Sequence, residues 1–324
     1  MQNESRGNAM PQKPLTLTGD IRLAHDPTIV VDAGIWWLVS TGPGIGLRKS
    51  TDGRKWQYVQ EIFKPLPASA LKVQPNAKNL WAPDLVKVGD RWHLYYSVSA
   101  FGKNRSAVCL ASNKVLDPAH PDYAWKDEGI VVESFPTDHY NAIDPSVAKD
   151  DKGVWWMTLG SFWGGCQRFR LNAAATRVDT GYQMSCVAQR PELPHAIEAP
   201  AFFFRRGWWY LVVSFDFCCR GSESTYNIRV GRSRTIDGEF LDAAGQKLSE
   251  GGGTMLLDGR GQMAGPGHAM ITTAGRTDYL VHHWYDKSVP RGVTTLGIRP
   301  IAWTRSGWPE VDRDAPVVDP AAVR

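Results

Sequence analysis

Apolar positions along this chain come in short runs broken by polar turns, and the three-to-four-residue spacing of an amphipathic helix is nearly absent. What recurs is a short apolar run, a turn rich in Gly and Asp, and then an aromatic-rich run: TIVVDAGIWWLVST, DLVKVGDRWHLYYSVS, SVAKDDKGVWWMTLGS, AFFFRRGWWYLVVSFD and AMITTAGRTDYLVHHW. Each reads as a β-hairpin, because β-branched and aromatic residues flank residues that favour turns. The dipeptides that open them are Asp26-Pro27, Ala82-Pro83, Asp144-Pro145, Ala199-Pro200 and Gly267-His268, at intervals of 56, 62, 55 and 68 residues. After each opener an aromatic follows: Trp36, Trp92, Trp155, Trp209 and Tyr279. Further strand pairs follow, as in GIGLRKSTDGRKWQYV and YNIRVGRS. A long period with several strands per repeat and no helix predicts an all-β fold, a five-bladed β-propeller. A sandwich would lack the long period, and an α/β barrel would need long amphipathic helices. The expected layout is a polar N-terminal segment, 1–18, and one propeller domain, 19–324, with Gly251-Gly252-Gly253 as a loop between blades four and five.

Composition narrows the class. The 324 residues are 43% hydrophobic and 22% charged, which excludes wholesale disorder. The formal net charge is only +4 and no Lys/Arg block occurs, so a nucleic-acid partner is not expected. No apolar run is long enough to span a membrane. Trp is unusually abundant, 14 in all, and serves both β-sheet cores and surfaces that meet sugar rings. The pairs Trp36-Trp37, Trp155-Trp156 and Trp208-Trp209 lie inside hairpin strands and read as core. Cys109, Cys166, Cys186, Cys218 and Cys219 show no C-x-x-C spacing, which speaks against a zinc cage. The adjacent Cys218 and Cys219 are either an oxidised vicinal pair or packed thiols. The polar first fourteen residues show no signal peptide, so the chain is expected to be a mature secreted or periplasmic protein, with a cytoplasmic address left open.

The innermost strand of a propeller blade lines the central channel, and the residue opening that strand sits at its mouth. Asp26 and Asp144 occupy that position, and Glu198 stands one place earlier in its repeat. Three carboxyl groups crowded into one low-dielectric cleft cannot all ionise easily, so one should hold a proton while another stays charged. That division is what glycosidic cleavage requires. Asp-Pro is also a common turn starter, but Ala82 keeps the same frame without an acid, so the fold itself does not demand one. Gly42-Pro43-Gly44-Ile45-Gly46 superficially looks like a phosphate loop, yet it leads into another strand and is rejected.

The local sequences HDPTIV, NLWAPDLV, YYSVSAFG, NAIDPSV, GSFW, AIEAPAFF, FDFCCRG, STY, VGRS and GPGHAMI resemble the family 43 glycoside hydrolases, and most closely the endo-1,5-α-L-arabinanases. The resemblance runs over about residues 20 to 305, across every blade. It implies an inverting hydrolysis of α-1,5-L-arabinofuranosidic bonds in arabinan or arabino-oligosaccharides, with Asp26 as general base, Glu198 as general acid and Asp144 as the carboxylate that raises the acid's pKa and orients it. An inverting pair stands about 6.5 to 9.5 Å apart to admit a water, a gap that separate blades supply. The same resemblance implies sugar contacts from Trp81, Phe101, Gly102, Asn141, Ala142, Ile143, Ser161, Phe162 and Trp163. It also places His268 against a metal ion, Ca2+, whose other ligands are mostly water; no organic cofactor is implied. Taken alone, a single His is more often a hydrogen-bonded structural residue, and imidazole matches a hard cation poorly. A monomer is expected. Cys166 and Gln167 after GSFWGG, and the stretch from Pro65 to Asn79, depart from the family pattern and are expected to reshape the groove, which leaves endo against exo action open. Two other readings stand beside this one: a family 43 enzyme acting on xylan or arabinoxylan, and a carbohydrate-binding propeller without catalysis.

Overall fold

The computed structural model describes residues 10–316, 318, 319 and 321–324. Five sheets follow one another along the chain, antiparallel except where the first strand of blade one pairs parallel with the outer strand of that blade. Blade one holds β1 (Thr18–Gly19), β2 (His25–Asp32), β3 (Ile35–Thr41), β4 (Gly46–Ser50) and β5 (Lys55–Glu61). Blade two holds β6 (Trp81–Val88), β7 (Arg91–Val98), β8 (Ser106–Asn113) and β9 (Lys126–Ser134). Blade three is built from β10 (Ser146–Lys149), β11 (Trp155–Leu159), β12 (Cys166–Arg170) and β13 (Ser185–Ala188), and blade four from β14 (Ile197–Arg205), β15 (Trp208–Phe215), β16 (Asn227–Ser233) and β17 (Thr254–Leu257). Blade five has β18 (Met263–Ala274), β19 (Thr277–Asp286) and β20 (Val293–Pro300). The innermost strands touch in ring order, β2 to β6 to β10 to β14 to β18 and back to β2. The chain is a five-bladed β-propeller.

The aromatic pairs explain how flat sheets become a ring. Successive strand residues point to opposite faces, so neighbours in one strand fill two different interfaces. Trp36 packs between blades five and one while Trp37 packs between one and two; Trp155 and Trp156 divide in the same way, as do Trp209 and Tyr210. Each interface thereby receives a large ring, and burying one of them stabilises the fold by about 1.5–3 kcal/mol. Trp208 departs from the expected core role: it is half-buried, with the Arg232 and Arg234 guanidinium groups 4.2 and 3.5 Å from its ring centre.

The ring is closed by the N-terminal segment. Leu15 N–H donates to the Ile298 carbonyl at 2.9 Å, Leu296 N–H to Ile21 at 2.9 Å and Leu23 N–H to Thr294 at 2.7 Å, so this segment edges the three-stranded sheet of blade five. Leu15, Leu17 and Ile21 are buried with Val281, Leu296 and Ile298. The packed fold therefore begins ahead of residue 19, because the edge of β20 needs pairing and the apolar Leu15 and Leu17 supply both partner and core; residues 1–9 lie outside the described residues.

Candidate active site

The opener of every blade has the same backbone. Asp26, Ala82, Asp144, Ala199 and His268 have φ of 49°, 44°, 59°, 54° and 46°, all left-handed and none a glycine. Such residues cost about 1–3 kcal/mol each and persist where surroundings over-determine them. In blades one, two, four and five the strand register shifts at this point, which marks a bulge that turns the opener's side chain away from the strand. In all five blades the opener's amide is satisfied by a side chain: Asp26 N–H by His283 Nδ1 (3.1 Å), Ala82 by Thr41 Oγ1 (2.8 Å), Asp144 by Ser97 Oγ (2.9 Å), Ala199 by Asp144 Oδ2 (3.1 Å) and His268 by Ser214 Oγ (2.8 Å). The frame in blade five is held by His268, the second residue of its opening dipeptide. Gly267 instead occupies the position of Glu198, and a Cβ there would lie 2.0 Å from the Tyr226 ring, so only glycine fits.

The openers converge on a pocket of about 860 Å³, lined by Asp26, Asp144, Glu198 and His268 together with the predicted contacts Trp81, Phe101, Gly102, Asn141, Ile143, Ser161, Phe162 and Trp163. Phe101 is 81% exposed, so it is not a core residue. Ala142 does not line the pocket: it is fully buried, and its N–H donates to Ser134 Oγ at 2.9 Å. The departures from the family pattern also lie behind the wall. Cys166 is buried in the core between blades three and four, Gln167 Nε2 donates to the Gly164 carbonyl at 2.8 Å, and Ala68–Val73 forms α1 packed on blade two. None of them lines the pocket.

The three acids are equally buried and differently served. The Asp26 carboxylate accepts from Thr41 Oγ1 (2.5 Å) and lies 2.8 Å from His25 Nδ1, 3.2 Å from His268 Nδ1 and 3.5 Å from His283 Nδ1. Burial works against its charged form, but the neighbouring imidazoles, His25 foremost, overcome it and hold the carboxyl well below the usual range. For His25, burial is likewise outweighed by Asp26, and its pKa rises; burial drives His268 and His283 down towards neutrality. Asp26 and His25 thus each favour the charged form of the other. Glu198 is pushed up to about 7, by burial first and the Asp26 charge next, against a 2.6 Å hydrogen bond from Ser161 Oγ. Asp144 is pushed well up by burial and by Glu198. Its Oδ2 accepts the Ala199 amide, so it also holds the backbone beside Glu198.

His25, Thr41, Phe217 and Arg220, which sequence reasoning did not single out, also line the pocket, and so do Cys218 and Cys219, which form the oxidised vicinal pair of the two states the sequence left open. Only the His-Asp-Pro run hinted at His25, and nothing local points to Thr41, which bonds Asp26 of its own blade and Ala82 of the next.

Similarity to known proteins agrees with this geometry. The family model described as glycosyl hydrolases family 43 matches residues 21–309. The chain belongs to glycosyl hydrolases family 43. Among the relatives of this family 43 chain is an extracellular exo-α-(1→5)-L-arabinofuranosidase of Cellvibrio japonicus, 42% identical over 89% of this chain and 86% of the relative. An extracellular endo-α-(1→5)-L-arabinanase of Bacillus subtilis is 40% identical over 89% of this chain and 87% of the relative. A solved α-L-arabinanase of Cellvibrio cellulosa in complex with arabinohexaose superposes with a TM-score of 0.85 at 40% identity, covering 91% of this chain and 96% of that one.

As metal donors, His25, Asp26 and His283 place ligand atoms within 4.8 Å of one another, with His268 on the other Asp26 oxygen, and the buried His283 Nε2 has no hydrogen-bond partner. The set is rich in nitrogen, and its one carboxylate is already engaged. An oxygen-seeking cation fits only if water supplies most of its shell.

Proposed function

We propose that this glycoside hydrolase cleaves α-1,5-L-arabinofuranosidic bonds in arabinan and arabino-oligosaccharides with inversion at the anomeric carbon. The observation that carries the reading is that Asp26 and Glu198 share one pocket with opposite surroundings, three imidazoles around Asp26 and a single hydroxyl bonded to Glu198, which hold the first carboxyl low and let burial push the second up to about 7. Asp26 takes a proton from water as that water attacks the anomeric carbon, and Glu198 gives its proton to the departing glycosidic oxygen. Asp144, whose own pKa is raised by burial and by Glu198, accepts the Ala199 amide and so fixes the backbone beside the acid. Trp81, Phe101, Phe162 and Trp163 offer apolar surface to the sugar faces, and Asn141, Ile143, Gly102 and Ser161 line the remainder.

Names of the relatives support the substrate and support both an endo and an exo mode; the enzyme is proposed to be endo-acting, as a monomer. Their extracellular naming supports secretion. Ca2+ is proposed as a water-coordinated ion with His268 as its protein ligand; bound there it would supply positive charge near the base. Chelation followed by Ca2+ add-back, read as melting temperature, checks that: no shift in either direction removes the ion from the account.

Digestion of linear arabinan, followed by chromatography over time and by NMR of the first anomer released, tests the reaction. A ladder of oligomers with inverted configuration is expected. A single product throughout replaces endo by exo action, and binding without cleavage removes the enzymatic reading.

A further inference from the structure

The turn after β15 forms part of the pocket wall, and its disulfide plays no part in the acid–base scheme above. Cys218 and Cys219 line the pocket, and Cys219 is exposed there. Their disulfide closes a small ring through the peptide bond between them. Within that ring Cys219 has φ +65°, a conformation that side-chain-bearing residues rarely hold unaided. The turn is anchored on its far side, where Ser222 N–H donates to the Arg291 carbonyl at 3.0 Å and a Cβ on Gly221 would lie 1.8 Å from that oxygen. What the ring governs is therefore local, namely the placement of the Cys219 amide and sulfur.

Both reach the base. Cys219 N–H donates to Tyr285 Oη at 2.8 Å, Tyr285 Oη is 3.1 Å from His25 Nε2, and His25 Nδ1 is 2.8 Å from Asp26 Oδ2. Cys219 Sγ itself lies 3.8 Å from His25 Nε2. The His25 ring is stacked on His283 at 4.1 Å, so its position along that stack is set by its two edges, one on Asp26 and one on Tyr285.

We propose that the Cys218–Cys219 disulfide and Tyr285 are positioning residues for the Asp26 base, so that opening the disulfide slows turnover. A dithiol reductant supplies the two electrons and two protons: the S–S bond breaks, two thiols form, and the reductant closes its own disulfide. Released from the ring, Cys219 leaves its left-handed conformation, its amide turns from Tyr285, and His25 loses its outer hold. The inference rests on Asp26 being the base of an arabinan hydrolase.

The test assays linear arabino-oligosaccharide with the wild-type enzyme before and after anaerobic dithiothreitol, disulfide state being read by alkylation and mass spectrometry. Cys218→Ser/Cys219→Ser, Tyr285→Phe and the triple variant are assayed alongside, so that a disulfide resistant to reagent, or a variant that does not fold, leaves another arm to decide. A fall in kcat of about five- to tenfold is expected, as for a slightly misplaced catalytic group. KM should stay within about twofold, and opening the disulfide should add little in the Tyr285→Phe background, because both act through the same chain of contacts onto His25. Unchanged kcat, a change confined to KM, or losses that multiply in the triple variant overturn the proposal while arabinan hydrolysis stands. An oxidised wild type that leaves arabinan intact overturns the functional reading and this inference together.

Discussion

Two corners of the same pit hold carboxyl groups buried to nearly the same degree, Asp26 at 7% exposure and Glu198 at 8%, and leave them in opposite states. Around Asp26 stand three imidazoles and a hydroxyl; around Glu198 stand one hydroxyl and a second carboxyl, Asp144. Desolvation is common to both and pushes both pKa values up, so it cannot account for the difference. The neighbours account for it, and the cation His25 in particular. A propeller separates the neighbours by blade, which lets one cavity keep a base and an acid side by side.

The sharpest way to break the comparison is to neutralise each corner in turn. Asp26→Asn and Glu198→Gln should each reduce kcat on arabinan by about 10²–10⁴-fold with a normal circular dichroism spectrum, the usual span for removing a general acid or base. Loss in only one variant would mean that the two corners do not share one reaction. Next in size, His25→Gln takes away the cation that separates the corners. Asp26 should then titrate higher, so the acidic limb of kcat against pH moves up, with a loss of about tenfold at neutral pH; an unmoved limb would assign the depression of Asp26 to other groups.

Ser161→Ala acts on the other corner and more gently. It removes the hydrogen bond that favours charged Glu198, so the alkaline limb should move above about pH 7 with kcat at its optimum changed by no more than about threefold. Smallest is the effect on stability. Glu198 has a folded pKa raised to about 7 from an ordinary 4.5, so the folded state binds more protons between those values and stability falls as pH rises through that window. Asp26 works the other way: its stabilisation is present above an ordinary carboxylate pKa and is lost as pH falls towards its depressed folded value. In Glu198→Gln the decline of melting temperature between about pH 4.5 and 7 should flatten, and an identical slope would detach it from this carboxyl.

How far the sequence reads into this site varies residue by residue. Asp26 and Asp144 were visible because they recur in register with Ala82 and Ala199, and Glu198 because it adjoins that frame. Ala142 was misplaced because a motif reports which residues travel together and not which way each one faces. Thr41 and Tyr285 escaped because their roles consist of contacts with another blade.

By itself the sequence determined the blade count, the core role of most of the paired aromatics and the candidate acids, since these follow from strand alternation and repetition, which are local in the chain. Tertiary structure alone decided which acid is charged, where the ring closes and what stands behind the base. Those outcomes depend on groups such as His283 against Asp26, or Leu15 against Ile298, that are hundreds of residues apart and meet only after the propeller has closed.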